Sequence, residues 1–230
     1  MPVYVSDGIE TDDRKNQARI AACSAHHLLI TARYFWGHSI IASETPHIRP
    51  DRDQYYMGIA LAVRARANCL GSKVGALIVR EDRIVSTGYN GTAQGLPNCE
   101  DGGCQRCENR GTRYASGEAY DLCICVHAEQ NAILSSARFG TPIEGTDVYT
   151  TLRPCFNCTK ELVQARVRSV RYMYDWVHPR EDVRDEYNRL QSFIRLVAQV
   201  ETDDPDAVWA MPGLRGRLEI DPPGPGAQSG

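Results

Sequence analysis

Two short motifs restrict this chain more than any compositional property: His127-Ala128-Glu129, and further on Pro154-Cys155-Phe156-Asn157-Cys158. Cysteines three apart at the start of a helix direct both sulfurs to one side, and proline suits the first position of such a helix. The helix N-terminus favours thiolate, the form that binds metal. With His127 as a third donor, a tetrahedral zinc would keep its fourth position open for water, the arrangement of a catalytic site. Zinc lowers the pKa of a bound water toward ~7, and Glu129, two residues from His127, is placed to carry the proton released. The competing reading is a closed zinc knot that draws its fourth ligand from neighbouring cysteines, but a closed site has no use for a carboxylate at this offset.

The chain has 230 residues and nine cysteines, seven of them between Cys99 and Cys158. Nine is too few for a disulfide scaffold, and tight grouping in a reducing compartment favours metal. Cys23 and Cys69 stand apart and read as buried small hydrophobes. Hydrophobic residues make up 42% of the chain, enough for a core, while 26 basic against 29 acidic residues leave a net charge of −3. That balance, and the lack of an aromatic and basic stripe, argue against a nucleic-acid partner. No uncharged run approaches the ~20 residues needed to span a bilayer, so no membrane partner is expected. The acidic start, with Asp7, Glu10, Asp12 and Asp13 and no basic n-region, places the chain in the cytoplasm.

The centre of the sequence reads as alternating elements. Val74–Val79 and Arg83–Tyr89 form a hairpin about Glu81-Asp82. Ala128–Arg138 and Cys155–Ala165 have helical composition, Asp147–Leu152 and Val167–Tyr174 alternate as strands, and Arg180–Gln191 is a charged surface helix. Phe193–Glu201 fits either a continuation of that helix or an edge strand. Strands alternating with helices imply an α/β layer. Three regions follow: an N-terminal extension over 1–50, partly helical from about Asp12 to Tyr34; a domain over 51–202 with an insert at 95–125; and a Pro- and Gly-rich irregular tail over 203–230.

The insert is too glycine-rich for regular structure and too long for an ordinary loop. Its thiols Cys99, Cys104, Cys107, Cys123 and Cys125 exceed the four that a tetrahedral structural zinc needs. A second zinc held by Cys99, Cys104, Cys107 and Cys123, with Cys125 as the alternative fourth ligand, would order it; such a metal contributes on the order of 10 kcal/mol.

His127-x-Glu129 with Pro154-Cys155-x-x-Cys158 is the signature of zinc-dependent nucleobase deaminases. Together with Gly71-Ser72-Lys73-Val74-Gly75-Ala76, Gly88-Tyr89-Asn90-Gly91 and the cysteine-bearing insert, it makes residues from about Gln54 to Asp175 resemble the cytidine deaminase superfamily and, within it, the deoxycytidylate (dCMP) deaminases. The resemblance implies a three-layer αβα fold on a mixed five-stranded sheet. It implies a catalytic zinc on His127, Cys155 and Cys158, Glu129 as the proton shuttle, and sugar or phosphate recognition at Asn90. Lys73 and Arg153 are candidate phosphate contacts. Arg138 sits where the resemblance suggests a subunit or effector contact, in a homo-oligomer regulated by dCTP and dTTP. The implied reaction is hydrolysis of dCMP to dUMP, feeding thymidylate synthesis. The alternatives are the same chemistry on a modified cytidylate, a free nucleoside or an RNA base, and a non-catalytic zinc-stabilised nucleotide sensor, against which an intact Glu129 weighs.

Overall fold

The computed structural model describes residues 48–115, 118–178 and 180–212. Expectations for the N-terminal extension, including its helix and Cys23, and for residues 213–230 lie outside these.

Helix α1 (Arg52–Arg64) starts at Asp51, whose side chain accepts from the Gln54 N–H at 2.8 Å while the Asp51 N–H donates to the Gln54 side chain at 3.2 Å. Two donors that a helix start leaves orphaned are thus satisfied reciprocally. The hairpin follows as β1 (Gly75–Arg80) and β2 (Arg83–Tyr89), joined through Glu81 and Asp82 at φ of 49° and 60°. Positive φ at both central residues is the turn that matches strand twist. After a short β3 (Gly91–Thr92) come the insert with α2 (Gln105–Glu108), β4 (Cys125–Val126), α3 (Ala128–Arg138), β5 (Asp147–Leu152), α4 (Phe156–Gln164), β6 (Ser169–Tyr174), α5 (Glu181–Gln191), β7 (Leu196–Gln199) and α6 (Ala207–Ala210).

The main sheet has the order β2-β1-β5-β6-β7; β1 is antiparallel to β2 and β5, while β5, β6 and β7 run parallel. This is the mixed five-stranded sheet the resemblance implies, and it settles Phe193–Glu201 in favour of an edge strand. Alternate residues along the strands face opposite ways, and the two faces carry separate cores. Leu77, Val79 and Tyr149 pack on Tyr56, Met57 and Ala60 of α1. Ile78, Val148 and Val170 pack on Ala132 of α3 and Leu162 of α4. The parallel strands bring the start of α4 and the segment after β6 to the same end of the sheet, the end where α/β sheets place their sites.

Residues 203–212, read from composition as irregular tail, are instead fastened to the domain. Asp204 forms a bidentate ion pair with Arg64 at 2.6 and 2.7 Å and accepts from the Tyr174 hydroxyl at 2.7 Å. The Lys73 N–H donates to Ala210 O at 2.7 Å. A carboxylate that compensates a buried guanidinium outweighs the weak structural preference of the sequence around it.

Candidate active site and cysteine cluster

His127 precedes α3, and Cys155 caps α4. The His127 Nδ1 atom lies 3.5 Å from Cys155 Sγ and 3.4 Å from Cys158 Sγ. One imidazole nitrogen and two sulfurs converge as the spacing predicts, and they fit a zinc that needs soft N and S donors. The Cys158 hydrogen bond holds the Cys155 thiol down to about 4 against the opposing effect of burial, and His127 adds to the depression.

Glu129, the second residue of α3, is 4% exposed. Burial pushes its carboxyl above the usual range, while His127 pulls the other way. The Thr150 hydroxyl lies 3.1 Å from both Glu129 Oε1 and Leu152 O, so its one proton can orient the carboxylate without being tied to it. Glu129, His127 and Cys155 line a cavity of about 410 Å³, with Cys158 buried behind them.

Glycine is required where α3 meets the sheet. A Cβ on Gly88 would stand 2.1 Å from Ala128 O, so only glycine lets the helix that carries His127 and Glu129 lie against β2. Asn131 fixes the same contact by donating to Tyr89 O at 2.7 Å. The glycines of Gly88-Tyr89-Asn90-Gly91 are thus accounted for by packing; a Cβ on Gly91 would strike Asn68 Oδ1 at 2.5 Å.

The expected substrate contacts fall out differently. Asn90 lines the cavity, but its amide accepts from the Val74 N–H at 2.8 Å and donates to Ser72 O at 2.8 Å. Lys73 is buried and turned elsewhere, donating to Cys69 O at 3.1 Å, pairing with Glu100 at 3.7 Å and lying over the Trp209 ring. The loop that presents Cys69 draws the ammonium to its carbonyls, which corrects the phosphate reading of Lys73. Arg153 lines the cavity yet pairs with Asp175 at 3.0 Å and donates to Gln191. Arg138 is exposed, donating to Gln94 at 3.3 Å beside the exposed Phe139.

Residues that the sequence reading missed complete the walls. Arg110 lines the cavity and its guanidinium makes no hydrogen bond or ion pair to a described residue; a Cβ on Gly71 would lie 2.6 Å from its Nη1, so glycine there makes room for the guanidinium. Trp176, His178 and Phe156 form an aromatic rim with ring centroids 5.5 and 6.4 Å apart. Their signal was position: Trp176 and His178 follow a parallel strand at its C-terminal end.

In the insert, the structure departs from the expected quartet. Cys69 joins the cluster rather than packing alone, and two four-sulfur groups form: Cys69, Cys99, Cys107 and Cys125, and Cys104, Cys107, Cys123 and Cys125. Cys99 therefore belongs with Cys69, not with Cys104 and Cys123. Asn68, also missed, anchors the insert by accepting from the Thr92 and Cys99 N–H groups at 3.3 Å and donating to Asn98.

Comparison with known proteins agrees with this geometry. Residues 50–174 match the cytidine and deoxycytidylate deaminase zinc-binding region, and the chain belongs to that family. It is 40% identical over 129 residues to the deoxycytidylate deaminase of Saccharomyces cerevisiae, which covers 55% of this chain and 39% of the yeast protein. A deoxycytidylate deaminase of Mycobacterium phage D29 is 37% identical over 131 residues, covering 54% of this chain and 95% of the phage protein. The crystal structure of dCMP deaminase from cyanophage S-TIM5 in complex with dCMP and dUMP superposes with a TM-score of 0.50 at 29% identity, covering 67% of this chain and all of the other. The chain spans less than two-fifths of the two yeast relatives' length, with 37% of the Schizosaccharomyces pombe enzyme matched. Among the described residues, no helix is long and apolar enough to cross a membrane.

Proposed function

We propose that this chain hydrolyses dCMP to dUMP and ammonia with zinc on His127, Cys155 and Cys158, supplying thymidylate synthesis. The observation that carries the reading is the buried Glu129 carboxylate lining the same cavity as His127 and Cys155, two members of a three-donor set completed by Cys158; three protein donors would leave a tetrahedral zinc one position for water. Zinc held there supplies the Lewis acidity that lowers the pKa of water. Glu129 takes a proton from the attacking water and delivers it to the ring nitrogen of cytosine, then takes the hydroxyl proton of the adduct and passes it to the amine, which leaves as ammonia while the carbonyl forms. Thr150 orients the carboxylate through its hydroxyl.

Arg110 supports a nucleotide over a nucleoside, because its guanidinium is uncommitted to any described residue and lines the cavity. A charge-assisted bond of about 1.5–3 kcal/mol to the 5′-phosphate corresponds to roughly 10- to 100-fold in affinity. The kinetic test is a substrate panel with Arg110→Ala. KM for dCMP should rise by about that factor while turnover of deoxycytidine is unchanged. Equal loss on both substrates would remove Arg110 from phosphate recognition, and wild-type preference for deoxycytidine or an RNA base would overturn the dCMP reading.

Zinc in the insert, assembly into a homo-oligomer and control by dCTP and dTTP belong to the same proposal. An all-thiol cluster supports the insert metal, and the exposed Leu134, Arg138 and Phe139 of the α3 end support a subunit contact. Light scattering with and without dCTP tests assembly and control together.

A further inference from the structure

The structure assigns the insert a pair of metal ions that share two thiolates, rather than one ion with spare cysteines: Cys107 and Cys125 bridge, Cys69 and Cys99 complete one tetrahedron, and Cys104 and Cys123 complete the other. The inference deepens the reading that the insert binds zinc.

Donor arithmetic decides between one ion and two. Two tetrahedral ions need eight donor places, and six cysteines fill them only if two are counted twice. The two four-sulfur groups have Cys107 and Cys125 in common and no other member. A single ion in the first group would strand Cys104 and Cys123 beside it as unused thiols 3.9 Å apart. Two divalent ions against six thiolates leave the same residual charge as one ion against four, so the second ion adds no electrostatic burden while it employs every sulfur.

The distances fit a shared metal and exclude disulfides. A Zn–S bond of ~2.3 Å in a tetrahedron puts neighbouring sulfurs ~3.8 Å apart. Cys107 Sγ lies 3.9 Å from Cys69, 3.7 Å from Cys123 and 3.9 Å from Cys125. A disulfide needs ~2.05 Å. Partners from both groups thus surround Cys107 at the tetrahedral edge length, as a bridging sulfur requires.

The surroundings give the cluster a structural task. Among the described residues, the apolar cluster of the insert is made of cysteines: Cys69, Cys99, Cys104, Cys107 and Cys125, with Cys123 at its edge. Leu96, Leu122 and Ile124 point outward, 45–56% exposed. Backbone N–H groups of Leu70 and Gly71 donate to Cys99 and Cys69 sulfurs at 3.4 Å, supporting thiolate at the terminal positions. The cluster also borders the cavity, since Cys69, Cys107, Cys123 and Cys125 line it beside Arg110, so the paired ions brace the wall that carries the uncommitted guanidinium.

The experiment is native mass spectrometry of the zinc-loaded full chain, followed by 113Cd NMR after exchange. About three metals per chain are expected, one at His127 and two in the insert, with 113Cd–113Cd splitting between two all-sulfur resonances and none on the third. Cys104→Ser with Cys123→Ser should lose one metal and the splitting while the His127-site resonance stays. Two metals per chain without splitting, with Cys104 and Cys123 open to maleimide in the folded protein, would overturn the pairing and leave a single insert metal. One metal per chain would overturn the insert reading as well. Either count is independent of whether dCMP turns over.

Discussion

Asp204→Ala is the substitution whose cost the structure sets most directly. Arg64 and Asp204 side chains are 2% and 3% exposed, and Arg64 Nε has no partner among the described residues, so the carboxylate alone compensates the buried guanidinium. Removing one partner of such a pair costs about 3–5 kcal/mol, because the other charge stays buried and unpaired. For a domain of this size each kcal/mol moves the melting point about 2–4 °C, which puts the loss near 10 °C. The pH dependence has a definite sign. Burial raises the Asp204 carboxyl, but hydrogen bonds from Arg64 and Tyr174 outweigh it and leave it depressed. A depressed folded pKa means that the unfolded chain binds more protons in acid. The stabilisation is therefore complete above the unfolded value of ~3.9 and is lost as pH falls through the folded value. Thermal denaturation of wild type and variant at pH 7 and pH 3 should show a wide gap that narrows in acid, and Arg64→Met combined with Asp204→Ala should recover much of the loss. A variant within about 2 °C of wild type at pH 7 would refute the reasoning, showing that Arg64 rehydrates and that residues 203–212 are not a clamp.

Three further outcomes follow from the site. Gly88→Ala, with its Cβ 2.1 Å from Ala128 O, should destabilise by about 1–3 kcal/mol and lower turnover by displacing α3; circular-dichroism melts and steady-state rates check both. Thr150→Val, which removes the hydroxyl beside Glu129, should leave zinc content intact and lower kcat more than it changes KM, read from metal analysis and initial rates. Stripping zinc with a chelator should open the insert before the sheet, because the apolar cluster of the insert is made of cysteines; proteolysis within 95–125 should appear while far-ultraviolet ellipticity is largely retained.

The convergence of His127, Cys155 and Cys158 was legible in the sequence because its determinants are local. His127, Glu129, Cys155 and Cys158 are fixed by two helix starts, and each helix start is written in a few adjacent residues. Four of the five strands of the mixed sheet were legible for the same reason, through the hairpin at Glu81-Asp82 and through alternation, while Leu196–Gln199 fits helix and strand alike until it pairs with β6. What escaped was decided by contacts distant in sequence. Cys69 looked solitary because its partners lie 30 or more positions on, and Lys73 looked available because Glu100 and Trp209 are likewise remote. Asp204 sits in a Pro-rich stretch whose composition suggests irregular chain, yet its partner Arg64 lies on α1. Helix α1 itself was missed although Asp51 and Gln54 announce its start and Met57, Ala60 and Arg64 recur on one face.

The central claim is that Glu129 moves protons for deamination at the His127, Cys155 and Cys158 site, and the direct measurement is dUMP and ammonia released from dCMP by zinc-loaded wild type and Glu129→Gln. The account predicts steady turnover by the wild type and a loss of at least about 100-fold in the variant, with its metal content and melting profile retained. Equal turnover by both proteins, or none by a folded and fully loaded wild type, would contradict it.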